Sequence, residues 1–428
     1  MPFPAFAIPD SPAPARDLPQ RFSFEERVRF ITALAKQLHF SGATSQRLEM
    51  AIRNVAERFG VLCEPFVQPT GLILHFADPA RPFGVGDITR VIRLPFVETN
   101  LGLMTEVDRI AEGVMDGSMT LPQGEEAMAA LDRPPSMGRT IAKIASLTTL
   151  AGGIALLLRL PWYDVSVATL NGLIAGLIGW YAGSRPRLHD AVNALTAVIC
   201  SLSVLSFATF VGPLNQNTVI VASLIALMPG MHLTNSISEL CATHLAAGVQ
   251  RFAGAVSIML QLSVGVMIAL YLFTALGLTP QVAPSRPQPL SMEMLGMLIT
   301  AVSFAVIFKV RSRDYLLVIF ACCLGYLIVR FGGEWLGAHA GLFLSAFVLT
   351  GIGNLYGRWF RRPGSLLRVP GVVMLVPGSA SVKALLNVLQ QNVDPGAPGG
   401  LLQISYVLMA IVAGMIFGNL AVPTRSTL

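Results

Sequence analysis

The chain has 428 residues, 53% of them hydrophobic and only 13% charged, with a mean hydropathy of +0.63. Such values exclude an ordinary soluble multidomain protein and point to an integral membrane protein. Residues 1–138 hold 13 basic and 17 acidic residues, whereas everything after them holds 17 and 7. The basic excess therefore flanks apolar stretches, and no basic run with interleaved aromatics speaks for nucleic acid.

Residues 1–22, beginning "MPFPAFAIPDSPAPARDLPQ", are rich in Pro and Ala and lack a basic region ahead of an apolar one. They read as a disordered leader rather than a signal peptide. Residues 23–135 read as a small cytoplasmic α/β domain. Its first helix places Phe24, Val28, Ile31, Leu34 and Leu38 at helical spacing. A second, within "SGATSQRLEMAIRNVAERFG", has Leu48, Ile52, Val55 and Phe59 on one face and Gly60 at its C′ position. "VLCEPFV", "GLILHFA" and "ITRVIRL" read as three strands, the first two joined by "QPTG". A helix with Leu103, Val107, Ile110 and Val114 inward follows, then a shorter one near Glu125–Leu131.

Beyond Pro135 ten apolar stretches approach the length of about 20 residues that a bilayer requires. They fall near 140–159, 165–183, 190–212, 217–238, 252–277, 291–309, 314–330, 336–355, 367–389 and 401–422. Continuous apolarity without a period of two predicts helices rather than a barrel. With the N-terminal domain cytoplasmic, one side collects Arg139, Lys143, Arg185, Arg187, Arg251, Lys309, Arg311, Arg313, Arg358, Arg361, Arg362, Arg368 and Arg425. The other side has Arg159, Arg286 and Arg330, so the positive-inside rule puts both termini in the cytoplasm of a cell (inner) membrane. Lys383 alone is left inside a span, the ninth.

Two stretches break the pattern in the same way: "LMPGMHLTNSISEL" in the fourth span and "LVPGSASVKALLNVL" in the ninth. "MLQLSVGVMIAL" in the fifth span also resembles "LLQISYVLMAIV" in the tenth. Five spans per repeat is an odd number, so the second copy, 290–423, must lie inverted relative to the first, 139–278. Inverted repeats with a discontinuous helix in each half point to a secondary transporter that binds its substrate between the halves.

Pro-Gly removes a backbone donor and loosens the chain, which leaves donors and acceptors for a ligand's carboxylate and ammonium. The candidate substrate-binding residues are Pro229, Gly230, Thr234, Asn235, Pro377, Gly378, Ser379, Lys383 and Asn387. Alignment on the glycines sets Asn235 opposite Lys383 and Glu239 opposite Asn387, so each half has one amide and one ionisable group. A lone lysine inside a span is a functional candidate, able to pair with a substrate or protein carboxylate, unless it snorkels to an interface. Glu239, if desolvated, is a candidate proton carrier, with solvation at the cytoplasmic end as the alternative. His232 is a second titratable candidate, balanced by the more ordinary reading of a hydrogen-bonded structural histidine. Asn171, Asn193 and Asn354 read as interhelical hydrogen-bonding residues.

The five cysteines, Cys63, Cys200, Cys241, Cys322 and Cys323, follow no disulfide or metal spacing. No G-x-x-x-x-G-K-[ST], H-E-x-x-H or G-x-S-x-G occurs, which disfavours a primary pump and an intramembrane enzyme. No catalytic residue, metal ligand or cofactor site is read. A membrane-bound metabolite sensor is the alternative of another class, and ten spans with polar breaks are more than an anchor needs.

The stretches "SGATSQRLEMAIRNVAERFG", "PTGLILHF", "TRVIRL", "LMPGMHLTNSISEL", "GVQRFAGA" and "VPGVVMLVPGSASVKALL" resemble the threonine/serine exporter (ThrE) family in order and spacing, from about Phe24 to Val422. The resemblance implies export of small hydroxy amino acids driven by the proton-motive force, through ten spans preceded by a cytoplasmic domain. Some members with separate halves are linked to dicarboxylates, so a C4 dicarboxylate such as succinate is the alternative substrate. The partners expected are that small molecule, protons and the lipid bilayer, with a homo-oligomer left open.

Overall fold

Ser23 and Glu26 start the first helix by exchanging caps: the Ser23 hydroxyl accepts from the Glu26 backbone N–H, and the Glu26 carboxylate accepts from the Ser23 N–H at 2.8 Å. The helix α1 (Phe24–Phe40) turns Val28, Ile31, Leu34 and Leu38 fully inward. Those residues recur every three or four positions, so a single face holds them all. The next helix, α2 (Ser45–Arg58), buries Leu48, Ile52 and Val55 and stops where Gly60 takes φ +61°. Arg27 crosses from α1 to cap that end, donating to the Phe59 carbonyl at 2.7 Å.

The computed structural model describes residues 22–82, 84–132, 136–283, 287–360, 362–375 and 400–423. Contacts divide the chain into two compact units. One holds residues up to Glu98 with Leu103–Arg133, and the other holds Thr99–Gly102 with Pro134–Arg425.

In the first unit β1 (Leu62–Gln68), β2 (Gly71–Ala77) and β3 (Ile88–Arg93) form an antiparallel sheet in that order. Val67, Leu72, Leu74 and Phe76 are buried, while Phe66, Ile73 and Val91, which pair across the strands, are exposed on the other face. Alternation along each strand sorts them. The helix α3 (Leu101–Met115) buries Met104, Val107, Ile110 and Val114; Leu103, expected inward, is only half-buried. The short α4 (Leu121–Ala129) is capped by Thr120 and Gln123.

The second unit is helical. Its elements are α5 (Met137–Leu157), α6 (Trp162–Ala182), the short α7 (Pro186–His189), α8 (Val192–Phe210), α9 (Gln216–Leu224), α10 (Gly230–Cys241) and α11 (Leu245–Ala275). Then follow α12 (Leu290–Ile307), α13 (Tyr315–Leu336), α14 (Ala338–Phe360), α15 (Ser365–Val373) and α16 (Gly400–Ala421). Seven described helices are long and apolar enough to cross a bilayer, and eight when α9 and α10 count as one bent span. The chain is a mostly helical membrane protein. The ninth expected stretch is covered by α15 only in its first part; the rest lies outside the described residues.

Boundaries move in one informative place. Hydropathy starts the fifth stretch at residue 252, but α11 begins at Leu245, so Arg251 lies inside a helix and is 5% exposed rather than in a loop. A hydropathy window rejects an arginine, whereas the fold accepts one whose charge is met.

Small residues set the helix contacts. A Cβ added at Gly265 of α11 would stand 2.6 Å from the Ala194 carbonyl oxygen and 2.7 Å from the Ala197 methyl of α8. A Cβ at Gly414 of α16 would stand 2.4 Å from the Phe343 carbonyl and 2.8 Å from the Ala346 methyl of α14. Close approach of backbones of this kind is how helices pack where lipid removes the hydrophobic drive. The α5–α6 and α12–α13 connections also match. Arg159 (φ +56°) and Lys309 (φ +52°) each take the left-handed conformation. The N–H of Leu160 reaches the Ala155 carbonyl at 3.0 Å, as that of Val310 reaches Ala305.

Candidate functional site

The helix formed by α9 and α10 is broken where the sequence places Pro229-Gly230. After α9 the chain tightens into a 3₁₀ turn, Ile225–Leu227, passes through an extended Met228, and restarts at Gly230 with a bend of 61°. Proline has no N–H for the ladder and its ring excludes the preceding carbonyl, so the break sits there. Pro229 becomes the N-cap of α10, and its carbonyl accepts from Leu233 at 3.0 Å. The first turn of α10 thus opens with N–H groups that its own helix does not use.

The candidate residues of this half fall on α10. Gly230 and Thr234 are buried, and the Thr234 hydroxyl donates back to the Gly230 carbonyl at 3.3 Å. Asn235 is buried, His232 half-buried, and with Glu239 they form one stripe at spacings of three and four. A different face carries Leu233 and Ile237, which pack with Ala255 and Met259 of α11 and Leu408 of α16. The polar stripe is therefore held by a fixed apolar seam.

Glu239 does not face solvent. It is 1% exposed and takes Arg251 in a two-point ion pair, Nε to Oε2 at 3.0 Å and Nη2 to Oε1 at 3.1 Å. A carboxylate met on both oxygens by a guanidinium makes Glu239 an anchor of α10 on α11. Pro377, Gly378, Ser379, Lys383 and Asn387 lie outside the described residues, so the structure brings together only the first half of the expected set.

Of the three asparagines read as interhelical bridges, two act so: Asn193 donates to Gln261 at 3.3 Å and Asn354 to Asn419 at 2.8 Å. The Asn171 side chain is buried without a hydrogen bond. Three acidic groups escape sequence reasoning. Glu293 of α12 accepts from Tyr326 at 2.8 Å and Arg330 at 3.1 Å, both on α13. Asp164 of α6 accepts from Asn215 at 2.6 Å, and Asp314, before α13, from Arg362 at 2.8 Å. Their only sequence signal is an acid within four residues of the start of an apolar stretch, which reads equally well as a loop. Among the described residues no group of His, Cys, Asp and Glu is arranged to hold a metal.

Residues 29–273 match the family described as "Putative threonine/serine exporter", and residues 293–421 match "Threonine/Serine exporter, ThrE". The chain belongs to the threonine/serine exporter family. A Mycobacterium tuberculosis protein named "Probable threonine/serine exporter" is 21% identical over 339 residues, covering 76% of this chain and 64% of its own. An uncharacterized Schizosaccharomyces pombe protein is 22% identical over 374 residues, 83% of this chain and 44% of that one. A Saccharomyces cerevisiae "Pheromone-regulated membrane protein 10" is 23% identical over 389 residues, 85% of this chain and 48% of its own. The chain thus spans 36% to 48% of the length of these and other fungal relatives. No solved structure matches. The family is described as one of exporters, and the long apolar helices of this chain fit a membrane protein.

Proposed function

We propose that the protein is a secondary exporter of small amino acids, threonine and serine, that alternates access between two inverted five-helix halves and is driven by protons. The observation that carries this reading is the break at Met228–Gly230, which opens a helix N-terminus beside the buried Thr234 and Asn235 within the bent pair α9–α10. Helix N-termini suit a carboxylate and freed carbonyls suit an ammonium, the two ends of an amino acid. Lys383 and Asn387, with Pro377, Gly378 and Ser379, are proposed as further substrate-binding residues on their sequence alone. The N-terminal domain and both chain ends face the cytoplasm, in keeping with the arginine distribution.

Three correspondences support the inverted repeat. The turns at Arg159 and Lys309 share their hydrogen bonds at a shift of 150 residues. Under that shift the contact of Thr149 with Ser303, 2.8 Å between hydroxyls, exchanges with the close approach of Gly153 to Ile299. An exchange of that kind is expected across a twofold axis between α5 and α12. Gly265 of α11 against α8 and Gly414 of α16 against α14 then repeat one contact at a shift of 149.

Counterflow in proteoliposomes tests the reading, with threonine, serine or succinate inside and the labelled compound outside. Exchange of threonine and serine, lost in Lys383→Ala with the protein still inserted, is the expected result. Exchange of succinate alone moves the substrate to dicarboxylates, and exchange of none in a folded protein reopens the sensor reading.

A further inference from the structure

The matching turns at Arg159 and Lys309 each deliver an aspartate five residues later to the start of the following helix. Asp164 is 1% exposed and Asp314 is 4% exposed, and each holds the segment that enters a fourth helix of its half, at Asn215 and at Arg362. The backbone is alike, but the charge is not. At Asp314 both oxygens face guanidinium groups: Arg362 donates to Oδ1 at 2.8 Å, and Arg313 stands 3.7 Å from Oδ2. At Asp164 both donors of Asn215 reach the same oxygen, Oδ2, from the side-chain nitrogen at 2.6 Å and the backbone nitrogen at 3.3 Å. Among the described residues its other oxygen, Oδ1, is buried without a hydrogen bond, as is Oδ2 of Asp314, which has Arg313 nearby instead.

Among the described residues, no charged group makes a hydrogen bond or ion pair with Asp164. Arg159, five residues earlier, donates its Nε to the Gln288 carbonyl. Tyr163 beside it has a buried hydroxyl that also lacks a hydrogen bond. The helices α8 and α9, packed on α6, carry no charged residue. Arg139 and Lys143 of α5, and Arg187 of α7, lie toward the opposite end of α6, and Arg286 is outside the described residues. A buried carboxylate with only a neutral partner is costly while ionised, and one bound proton removes that cost.

We propose that Asp164 is a proton-binding site that couples transport to the proton gradient, with Asn215 relaying its charge state to the broken helix α9–α10. This rests on the exporter reading above. The proton adds to Oδ1, leaving a neutral carboxylic acid. The bond from Asn215 then changes from charge-assisted to neutral, roughly halving its strength and loosening the start of α9. Asp314 stands between the guanidinium groups of Arg362 and Arg313, whereas Asp164 has the neutral Asn215, so the proton is assigned to one of two equivalent positions. With the N-terminal domain cytoplasmic, α5 carries the chain across once and Asp164 stands at the outer end, where a proton moving inward enters.

The test is infrared difference spectroscopy of the full chain in lipid vesicles during a pH titration, read at the carboxylic-acid carbonyl band, with pH-driven threonine flux measured alongside. A titrating band is expected in the wild type, lost in Asp164→Asn and kept in Asp314→Asn. Asn215→Arg, which copies the Arg362 arrangement, is expected to abolish the same band by holding Asp164 ionised. In flux, Asp164→Asn is expected to lose its stimulation by an inward proton gradient. A band unchanged in Asp164→Asn overturns the proposal. If that variant does not fold, an unchanged titration in Asn215→Arg overturns it equally. The infrared measurement needs no transported substrate, so absence of threonine or serine exchange counts against the exporter reading, while the band alone decides whether Asp164 binds a proton.

Discussion

The two units of this chain solve packing with opposite materials. The N-terminal unit fills its interior with large side chains: Phe30, Phe59, Phe76, Ile31, Leu34 and Leu38 are all fully buried. The helical unit brings its helices close together at Gly153, Gly172, Gly265, Gly296 and Gly414, and turns Leu173, Leu177, Leu260, Val264, Ile268 and Leu272 outward. The solvent, not the residue, decides what is inside. In water an exposed leucine forfeits hydrophobic stabilisation, whereas against lipid it loses nothing, and dispersion between close backbones becomes the available attraction.

The largest effect is expected at Phe30, whose ring meets Phe59 edge-on at 5.9 Å. Phe30→Ala should cost about 4 kcal/mol, read as faster amide hydrogen exchange across α1 and α2 in the full chain. Unchanged protection there would mean the unit is not stabilised by its own core.

Charge burial in the helical unit comes next. Arg251→Ala removes the guanidinium that meets both oxygens of the buried Glu239, at a cost of about 3 kcal/mol, seen as a lower melting temperature in lipid. The double change Arg251→Met with Glu239→Gln should recover most of it; a double variant as weak as the single one would argue against the pairing as the cause.

The N-terminal unit has its own pH response. Burial pushes the Asp108 carboxyl up from 3.8 to about 6, although Arg47, 3.1 Å away, pulls the other way. A folded-state value above the unfolded one means that folding favours the protonated acid. Its contribution is fully present below about pH 4 and is lost as pH rises through about 6, on the order of 2–3 kcal/mol. Exchange rates of α3 measured from pH 4 to 7, corrected for intrinsic chemistry, should show that decline in wild type and a flat profile in Asp108→Asn.

The smallest changes probe the membrane side directly. Gly265→Ala should destabilise by about 1–3 kcal/mol because a neighbouring backbone stands in the way. Leu260→Ala, on the outward face, should cost less than about 0.5 kcal/mol in lipid, since lipid is as apolar as leucine. Equal losses at the two positions in a lipid melt would mean that close backbone contact is not what holds these helices together.

Periodicity made much of the architecture legible. The inward faces of α1 and α2, the three strands and most of the spans follow from spacing and composition, because a core face repeats at the period of its element. The break at Pro229-Gly230 was equally plain, since proline acts on its own backbone. The pairings were not. Glu239 meets Arg251 twelve residues on, Asp164 meets Asn215 at a separation of 51, and Asp314 meets Arg362 at 48. The match of "MLQLSVGVMIAL" with "LLQISYVLMAIV" sets Gly265 against Val407, whereas Gly265 and Gly414 make the equivalent contacts. The slip is seven residues, two helical turns, which preserves the face and so leaves the apolar pattern unchanged.

By itself, then, the order of residues determined which segments are helices, which faces are apolar, where one helix must break and to which family the chain belongs. Those are local properties, written at the spacing of neighbouring side chains. Only the tertiary structure decided that Arg251 is inside a helix, that Glu239 is already partnered, and that two aspartates on matching turns carry different charge environments. Each of these depends on which side chain arrives from a distant helix, and electrostatics inside a bundle is set by that arrival rather than by the residue's own neighbours.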